Sequence, residues 1–202
     1  MRITGGTLRG RSIQVPKAVV RPTSERVREA LFSSLGDAVV GARVLDLFAG
    51  SGALGLEAWS RGAADVTWVE NNAKVFRILE RNVRDLCPDS RGRAVYIRSS
   101  VYRYLEQFAA DPFDLVLADP PYAKAGAPGP ADLLLRALEK GPILQAAGHF
   151  VLEQAAREPV SDRPAWHLSR DKTYGDTRLV AWTPICNSGQ ARIPTQDGDR
   201  AK

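Results

Sequence analysis

The segment 113–122 ends in residues that could hold a planar amino group. It reads FDLVLADPPY, an apolar run followed by Asp119, Pro120, Pro121 and Tyr122. Two prolines remove two backbone donors and fix φ, so Asp119 is held extended and nearby carbonyls stay free to accept. A carboxylate and a carbonyl can accept both hydrogens of an exocyclic amine, while Tyr122 offers a face for base stacking. These are the parts that a nucleobase-amine methyltransferase requires, and a rigid turn after a strand is the alternative.

A glycine-rich turn precedes this segment in the chain. Residues 44–55 read VLDLFAGSGALG, an apolar strand followed by Gly50 and Gly52 and then by helix-forming residues. An open α/β sheet binds its ligand at such a turn, where glycine lets the backbone bend sharply and approach a bound molecule. Gly50, Gly52 and Gly55 also match the dinucleotide pattern GxGxxG, so the turn alone fits a nicotinamide enzyme as well, or a tight turn without a ligand.

Two acidic residues help to distinguish the possible cofactors. Asp46 lies near the end of the strand, where its carboxylate could meet the ammonium group of S-adenosylmethionine and would repel a pyrophosphate. Glu70 follows the turn by about 20 residues and could accept hydrogen bonds from both ribose hydroxyls. Glu70 therefore indicates a nucleoside, and Asp46 favours S-adenosylmethionine.

From residue 42 onward, short apolar segments alternate with amphipathic ones, which predicts a parallel sheet covered by helices. Strands are predicted at 43–47, 65–69, 94–98, 113–118 and 149–153. Helices are predicted to begin near residues 52, 73, 101 and 130. Two further strands, at 166–168 and 179–182, flank a polar segment with a turn at 174–176, which predicts an antiparallel hairpin beside the parallel strands.

The N-terminal residues differ from the rest in pattern and in charge. Residues 1–30 hold seven basic and two acidic side chains, so this end accounts for the whole net charge of +5. Short strands at 2–4 and 12–15 predict a small hairpin, and a helix with one apolar face is predicted from 22–23 onward. The basic side chains indicate either an arm that faces a polyanion or a merely solvated segment. The candidate phosphate ligands are Arg2, Arg9, Arg11, Arg21, Arg26 and Arg28, with Arg26 and Arg28 directed away from the apolar face.

These motifs resemble those of a known family. DLFAGSGALGLEA at 46–58 resembles the first motif of class I S-adenosylmethionine-dependent methyltransferases, and DPPY at 119–122 resembles their amine-modifying fourth motif. RITGGTLRGR at 2–11, RPTSERVREALFSSL at 21–35 and TYGDTRL at 173–179 are similar to the RsmD family. The resemblance covers residues 2 to about 183, with the motifs in the same order and at similar spacing.

The resemblance implies an α/β fold of the Rossmann-like class I methyltransferase type. This fold has a mostly parallel seven-stranded sheet with helices on both faces, preceded by a small N-terminal hairpin and helix. We expect a basic, RNA-facing segment at 1–36, a catalytic domain at 37–186 and a disordered tail at 187–202.

The resemblance also implies a reaction and a set of site residues. The reaction is methyl transfer from S-adenosylmethionine to the exocyclic N2 of a guanine in small-subunit (16S) ribosomal RNA, free or in a partly assembled subunit. Catalysis is assigned to 119–122, and Tyr174 is a further candidate nucleic-acid contact. Many class I enzymes have an acid near the adenine where this chain has two serines, so a serine would have to substitute for it. The implied cofactor-binding residues are Asp46, Phe48, Ala49, Gly50, Gly52, Glu70, Asn71, Ser99, Ser100, Val101 and Asp119.

The composition and the shared motifs also bear on where the protein acts and on alternative functions. With 44% hydrophobic and 25% charged residues, and no apolar run near the ~20 residues that a membrane span needs, a cytoplasmic monomer is expected. Cys87 and Cys186 show neither metal nor disulfide spacing, and neither lies in the context of a cytosine-C5 nucleophile. DNA adenine-N6 methyltransferases share DPPY. A non-catalytic assembly factor with this fold, and a dehydrogenase, are the remaining alternatives.

Overall fold

A seven-stranded sheet forms the centre of the protein. The computed structural model describes residues 1–16, 25–87, 92–108, 110–121 and 129–185, and the strand order is β3-β2-β1-β4-β5-β7-β6. Strands β1 to β5 pair in parallel, whereas β7 pairs antiparallel with both β5 and β6. The strands are β1 (Arg43–Leu47), β2 (Asp65–Glu70), β3 (Arg93–Arg98), β4 (Phe113–Ala118), β5 (Leu144–Ala155), β6 (Trp166–Tyr174) and β7 (Thr177–Pro184).

Different helices cover the two faces of the sheet. Apolar residues of α1, α2 and α3 form one buried cluster, and those of α4 and α5 form the other. Val44 belongs to the first cluster and Leu45 to the second, as expected for a strand buried on both faces. Among the described residues, no helix combines the length and apolarity that a membrane crossing needs. The helices are α1 (Glu25–Leu35), α2 (Ala53–Ser60), α3 (Ala73–Leu86), α4 (Val101–Glu106) and α5 (Pro130–Leu138).

Helix α3 shows how the local sequence specifies an element. Its N-cap is Asn72, whose side-chain oxygen accepts hydrogen bonds from the Lys74 and Val75 amides at 3.0 and 3.2 Å. Such a cap satisfies two of the amide groups that have no partner within the helix. Leu79 and Val83 follow at helical spacing and are buried against the sheet. The predicted helix near residue 73 is therefore confirmed.

The edge strand β6 is longer than predicted. The sequence predicts 166–168, whereas the strand runs from Trp166 to Tyr174 and is mostly exposed. Apolar periodicity reports burial rather than backbone pairing, so the polar edge strand resembles a loop in the sequence. The predicted strands β1 to β5 and β7 are confirmed within a few residues, although β5 begins five residues earlier than expected.

The N-terminal hairpin is smaller than predicted. A single antiparallel bridge joins Arg2 to Ser12 around a 3-10 turn at Gly6–Leu8. The Ile3 amide donates to the Arg11 carbonyl at 3.0 Å, and the Ile13 amide donates to the Met1 carbonyl at 2.8 Å. The hairpin path is therefore as predicted, but its two sides do not form regular strands. The predicted start of the first helix at 22–23 and the predicted tail at 187–202 lie outside the described residues.

Candidate cofactor and substrate site

A cavity of about 640 Å³ lies at the carboxyl ends of the parallel strands, a volume typical of small-molecule sites. It lies where the strand order reverses between β1 and β4, the position at which open α/β sheets bind ligands. Four acidic residues, Asp46, Glu70, Asp119 and Glu153, line it, and no basic residue is part of the described lining. The remaining lining residues are Met1, Val15, Pro16, Phe48, Ala49, Gly50, Ser51, Ala53, Leu54, Asn71, Asn72, Val75, Ser100, Val101, Tyr102, Pro120 and Pro121.

The turn between β1 and α2 forms one wall of the cavity. Phe48 and Gly50 adopt φ values of 58° and 56°, which are unusual for a side chain as large as that of Phe48. Such strain is often found where a backbone contacts a ligand. The Ala49 amide donates to the Val69 carbonyl at 3.0 Å, and the Gly50 amide donates to Oε2 of Glu70 at 2.9 Å. The turn is therefore attached to the end of β2 by two hydrogen bonds.

Two glycines of this segment, Gly52 and Gly55, allow close packing of helices and do not line the cavity. Gly52 has φ 86° and is not a lining residue, although it is predicted to bind the cofactor. A Cβ at Gly52 would lie 2.6 Å from a methyl carbon of Leu79, and one at Gly55 would lie 2.2 Å from Nε1 of Trp68. Both glycines therefore allow α2 to approach the sheet and α3 closely.

Asp46 is a buried carboxylate at the floor of the cavity. One of its oxygens accepts a hydrogen bond from the Gly55 amide at 2.8 Å. Burial raises the pKa of Asp46 to about 8; the Gly55 hydrogen bond opposes this shift, and the charges of Asp119 and Glu70 add to it. A cation beside Asp46 would restore its charged form, so the site favours a positively charged group.

Glu70 is half-buried at the end of β2 and lines the cavity. Its Oε2 accepts from the Gly50 amide, and its Oε1 accepts from the Asn72 amide at 2.6 Å. Each carboxylate oxygen can accept a second hydrogen bond, so both remain able to bind hydroxyl groups. Asn71, beside it, is exposed at the rim of the cavity.

The acid and the two prolines after β4 reach the same cavity. Asp119 is half-buried, and its amide donates to the Leu47 carbonyl at 3.4 Å, which joins this corner to the end of β1. Pro120 is buried and Pro121 is exposed, and both contribute to the lining. Tyr122 lies outside the described residues. The two motifs that were far apart in sequence therefore meet across one cavity.

The two serines after β3 have different positions. Ser100 borders the cavity together with the buried Val101. Ser99 does not belong to the lining; its amide donates to the Glu70 carbonyl at 3.2 Å and its hydroxyl to the Ser100 carbonyl at 3.1 Å. Of the two candidate adenine contacts, only Ser100 is therefore placed at the cavity.

The N-terminal arm, residues 1–16, forms a wall that the sequence did not predict. Its residues Met1, Val15 and Pro16 line the cavity. No local motif marks these residues, because only the folded arm brings them to the sheet. Glu153 was missed too, although it ends the predicted strand 149–153 and could have been found from that position.

Arg28 corrects the predicted set of phosphate ligands. It is fully buried rather than exposed, and its Nε lies 3.1 Å from Oε2 of Glu57 on α2. It also donates hydrogen bonds to the Arg2 carbonyl and the Met1 sulfur. Phe32 is buried on α1 one helical turn after position 28, so Arg28 lies within the buried face of the helix.

Glu57 connects the arm to the sheet domain. Besides Arg28, its carboxylate accepts from the amides of Thr4 and Gly5 at 2.9 and 2.8 Å and from Nε of Arg61 at 2.9 Å. Burial alone would raise the pKa of Glu57, but the Thr4 and Arg61 hydrogen bonds and the Arg28 charge lower it below its usual value. The arm is therefore held by a buried, charged network.

The other predicted nucleic-acid ligands have varied positions. Arg21 lies outside the described residues. Tyr174 is half-buried at the end of β6 and is not part of the cavity lining. The remaining four, which are all exposed, are Arg2, Arg9, Arg11 and Arg26.

Known proteins resemble this chain over most of its length. Residues 1–183 match the family model described as Conserved hypothetical protein 95. Ribosomal RNA small subunit methyltransferase D from Escherichia coli (strain K12) is 37% identical over 177 residues, which cover 87% of this chain and 85% of that protein. The same enzyme name is given to a protein of Haemophilus influenzae that is 34% identical over 177 residues, which cover 87% of this chain and 89% of that protein.

The solved structures agree with this similarity. The structure of yhhF from Escherichia coli has a TM-score of 0.78 and 34% identity, and the match covers 91% of this chain and 97% of that one. A hypothetical protein from Thermus thermophilus has a TM-score of 0.73 and 31% identity, with 92% and 99% covered. Together with the observed sheet order, these similarities confirm the predicted Rossmann-like class I methyltransferase fold.

Proposed function

This chain belongs to the RsmD family, and we propose that it transfers a methyl group from S-adenosylmethionine to the exocyclic N2 of a guanine in small-subunit ribosomal RNA. The charge of the cavity carries the proposal, because its described lining holds four acidic residues and no basic one. Such a lining stabilises a cationic cofactor and repels the pyrophosphate of a dinucleotide. A dehydrogenase is therefore disfavoured, although the glycine spacing fits one.

The lining residues fit S-adenosylmethionine. Asp46, whose raised pKa reflects an unfavourable buried charge, would pair with the ammonium group of the cofactor. Glu70 would accept hydrogen bonds from the ribose hydroxyls. Ser100 and Val101 border the cavity where they could contact the adenine. S-adenosylmethionine, when bound, supplies an electrophilic methyl group.

The corner after β4 would bind the target base. The guanine must leave its base stack to reach a cavity of this kind. The Asp119 carboxylate and the Pro120 carbonyl would then accept the two hydrogens of its amino group, which orients the nitrogen lone pair. The family motif assigns stacking on the base to Tyr122. These residues would accelerate the reaction by positioning the amine, without a covalent bond to the enzyme.

Ribosomal RNA is proposed as the partner because relatives of this chain are named for it. Exposed arginines of the arm and of α1 support the proposal, since Arg9, Arg11 and Arg26 have no ion pair within the described part of the chain. Guanidinium groups bind phosphates with forked hydrogen bonds. The arm would therefore bind the RNA backbone, whereas the cavity reads the base.

A methyl-transfer assay with three substrates tests the proposal. Purified protein and labelled S-adenosylmethionine are incubated with deproteinised DNA, free small-subunit ribosomal RNA or partly assembled subunits from cells that lack this protein. Label is expected in one or both RNA substrates, as N2-methylguanosine. Label in DNA as N6-methyladenine would instead support the DNA methyltransferase. Cofactor binding without transfer to any substrate would support a non-catalytic assembly factor.

A further inference from the structure

Helix α3 carries an uneven distribution of charge on its exposed face. Four basic side chains, Lys74, Arg77, Arg81 and Arg84, are exposed there, against the acids Glu80 and Asp85. In the C-terminal half of the helix, Arg84 pairs with Glu80 at 3.1 Å and Arg81 approaches Asp85 at 3.9 Å. Within the described residues, Lys74 and Arg77 form no ion pair. The first half of α3 therefore presents two uncompensated positive charges.

This arrangement does not serve the stability of the helix. Lys74 lies in the first turn, where the helix dipole disfavours a cation and where no acid is present. Arg77 follows three residues later and Arg81 four residues after that, spacings at which like charges repel. By contrast, α5 has Asp132 in its first turn and Arg136 in its last turn, and the two pair at 2.8 Å.

Helix α3 also connects the arm to the cavity. Lys74 lies between two cavity-lining residues, Asn72 and Val75, at the start of the helix. Further along the helix, the side chain of Asn82 bonds both the amide and the carbonyl of Gln14 on the arm, at 3.0 and 2.9 Å. A polyanion that is bound by the arm and has a base in the cavity would therefore pass close to the exposed face of α3.

We propose that Lys74 and Arg77 bind backbone phosphates of the RNA next to the target nucleotide, so that the RNA-binding surface extends from the arm along α3 to the cavity. The inference rests on the proposed function, because it takes the partner of that site to be RNA. The surface would position the substrate and would not take part in the chemistry.

A pair of double variants tests this surface. Lys74→Gln with Arg77→Gln removes the two unpaired charges, whereas Arg84→Gln with Arg136→Gln removes two ion-paired ones and gives the same change in net charge. Binding of transcribed small-subunit ribosomal RNA is measured over a range of salt concentrations. Two lost phosphate contacts should reduce the slope of log affinity against log salt by roughly 1.4 to 1.8 in the first variant only.

Thermal unfolding and S-adenosylmethionine affinity show whether the first variant is otherwise intact. Its melting temperature should equal or exceed that of the wild type, because the removed charges repel each other and the helix dipole. Equal salt slopes for the two double variants would overturn the proposal. Any loss of RNA affinity would then follow from the lower net charge of the protein and not from contacts of Lys74 and Arg77. The methyl-transfer assay tests the proposed function separately from this surface. RNA binding without methylation would contradict the proposed function, while the salt slope would still show whether α3 binds the RNA.

Discussion

The side chain of Asn82 donates a hydrogen bond to the Ser51 carbonyl over 2.9 Å, which joins α3 to the glycine turn of the cavity. The same buried amide bonds the backbone of Gln14 on the arm. One side chain thus holds both the turn that is proposed to bind the cofactor and the arm that forms a wall of the cavity. The arm and the cofactor site are therefore expected to be coupled.

Replacement of Asn82 by leucine should test this coupling. The variant leaves the buried Ser51 carbonyl without this partner, at a cost of about 1–3 kcal/mol. It also removes two partly buried hydrogen bonds to the backbone of the exposed Gln14, each worth about 0.5 kcal/mol because water can replace it. We expect a loss of about 2–4 kcal/mol in the free energy of unfolding, measured by urea denaturation, and weaker S-adenosylmethionine binding. Gln145→Leu, which changes an exposed amide, is the control. Unchanged cofactor affinity in a folded Asn82→Leu variant would contradict the coupling.

Arg28→Met should destabilise the fold rather than weaken RNA binding directly. The change removes one of the two arginines that pair with the buried Glu57 and leaves Arg61 as the other, so the free energy of unfolding should fall by roughly 3 kcal/mol, the lower end of the range for a broken buried pair. Arg84→Met, which breaks the exposed pair with Glu80, should cost less than about 1 kcal/mol. Denaturant titrations of both variants measure the difference. A stable Arg28→Met protein with a reduced salt slope of RNA binding would instead restore Arg28 to the phosphate ligands.

Asp46 should make the stability of the cofactor-free protein depend on pH. Its pKa is about 8 in the folded protein against an ordinary 3.8, so below about pH 4 it is protonated in both the folded and the unfolded states. At that low pH the ionisation of Asp46 does not reduce the free energy of unfolding. As the pH rises from about 4 to about 8 the free energy of unfolding falls, because the carboxyl group ionises in the unfolded state before it does so in the folded protein. Denaturation at several pH values should show this decline, and Asp46→Asn should flatten it. An equally steep decline in the variant would assign the effect to other groups.

Cofactor binding should lower the raised pKa of Asp46. A cation beside Asp46 lowers its pKa, so S-adenosylmethionine should release protons when it binds near neutral pH. Calorimetry in two buffers with different ionisation enthalpies measures the number of protons released. Identical binding enthalpies in the two buffers would mean that Asp46 does not meet the cation.

The sequence predicted the sheet and the two motifs of the cavity because these features are local. The local sequence determines the backbone conformation where an apolar strand is followed by glycines or by Asp-Pro-Pro. Parallel strands then bring their carboxyl ends to one edge of the sheet. The order of the strands in the sheet then places Asp46, Glu70 and Asp119 around one cavity. The lining role of these three residues followed from their positions at, or directly after, the carboxyl ends of predicted strands.

The features that the sequence did not predict depend on tertiary contacts. Arg28 looks like a surface residue in the sequence, and only the buried Glu57 of a distant helix explains its position. Val15 and Pro16 line the cavity because the arm folds back over α3. Long-range partners of this kind leave no periodic signal, so single-sequence reasoning misses them.

The central claim is that Asp119 holds the amino group of a guanine in this cavity, and nucleoside analysis tests it most directly. Small-subunit ribosomal RNA would be isolated from cells that express the wild type, Asp119→Ala or no protein, and would be cut into fragments so that each modified nucleoside can be assigned to a position. Asp111→Ala, a change of an exposed acid, is the matched control. We expect N2-methylguanosine at one position with the wild type and with Asp111→Ala, and its absence in the other two. An equal amount of the modified base with a folded Asp119→Ala variant, or a methyl group that appears on adenine instead, would contradict the account.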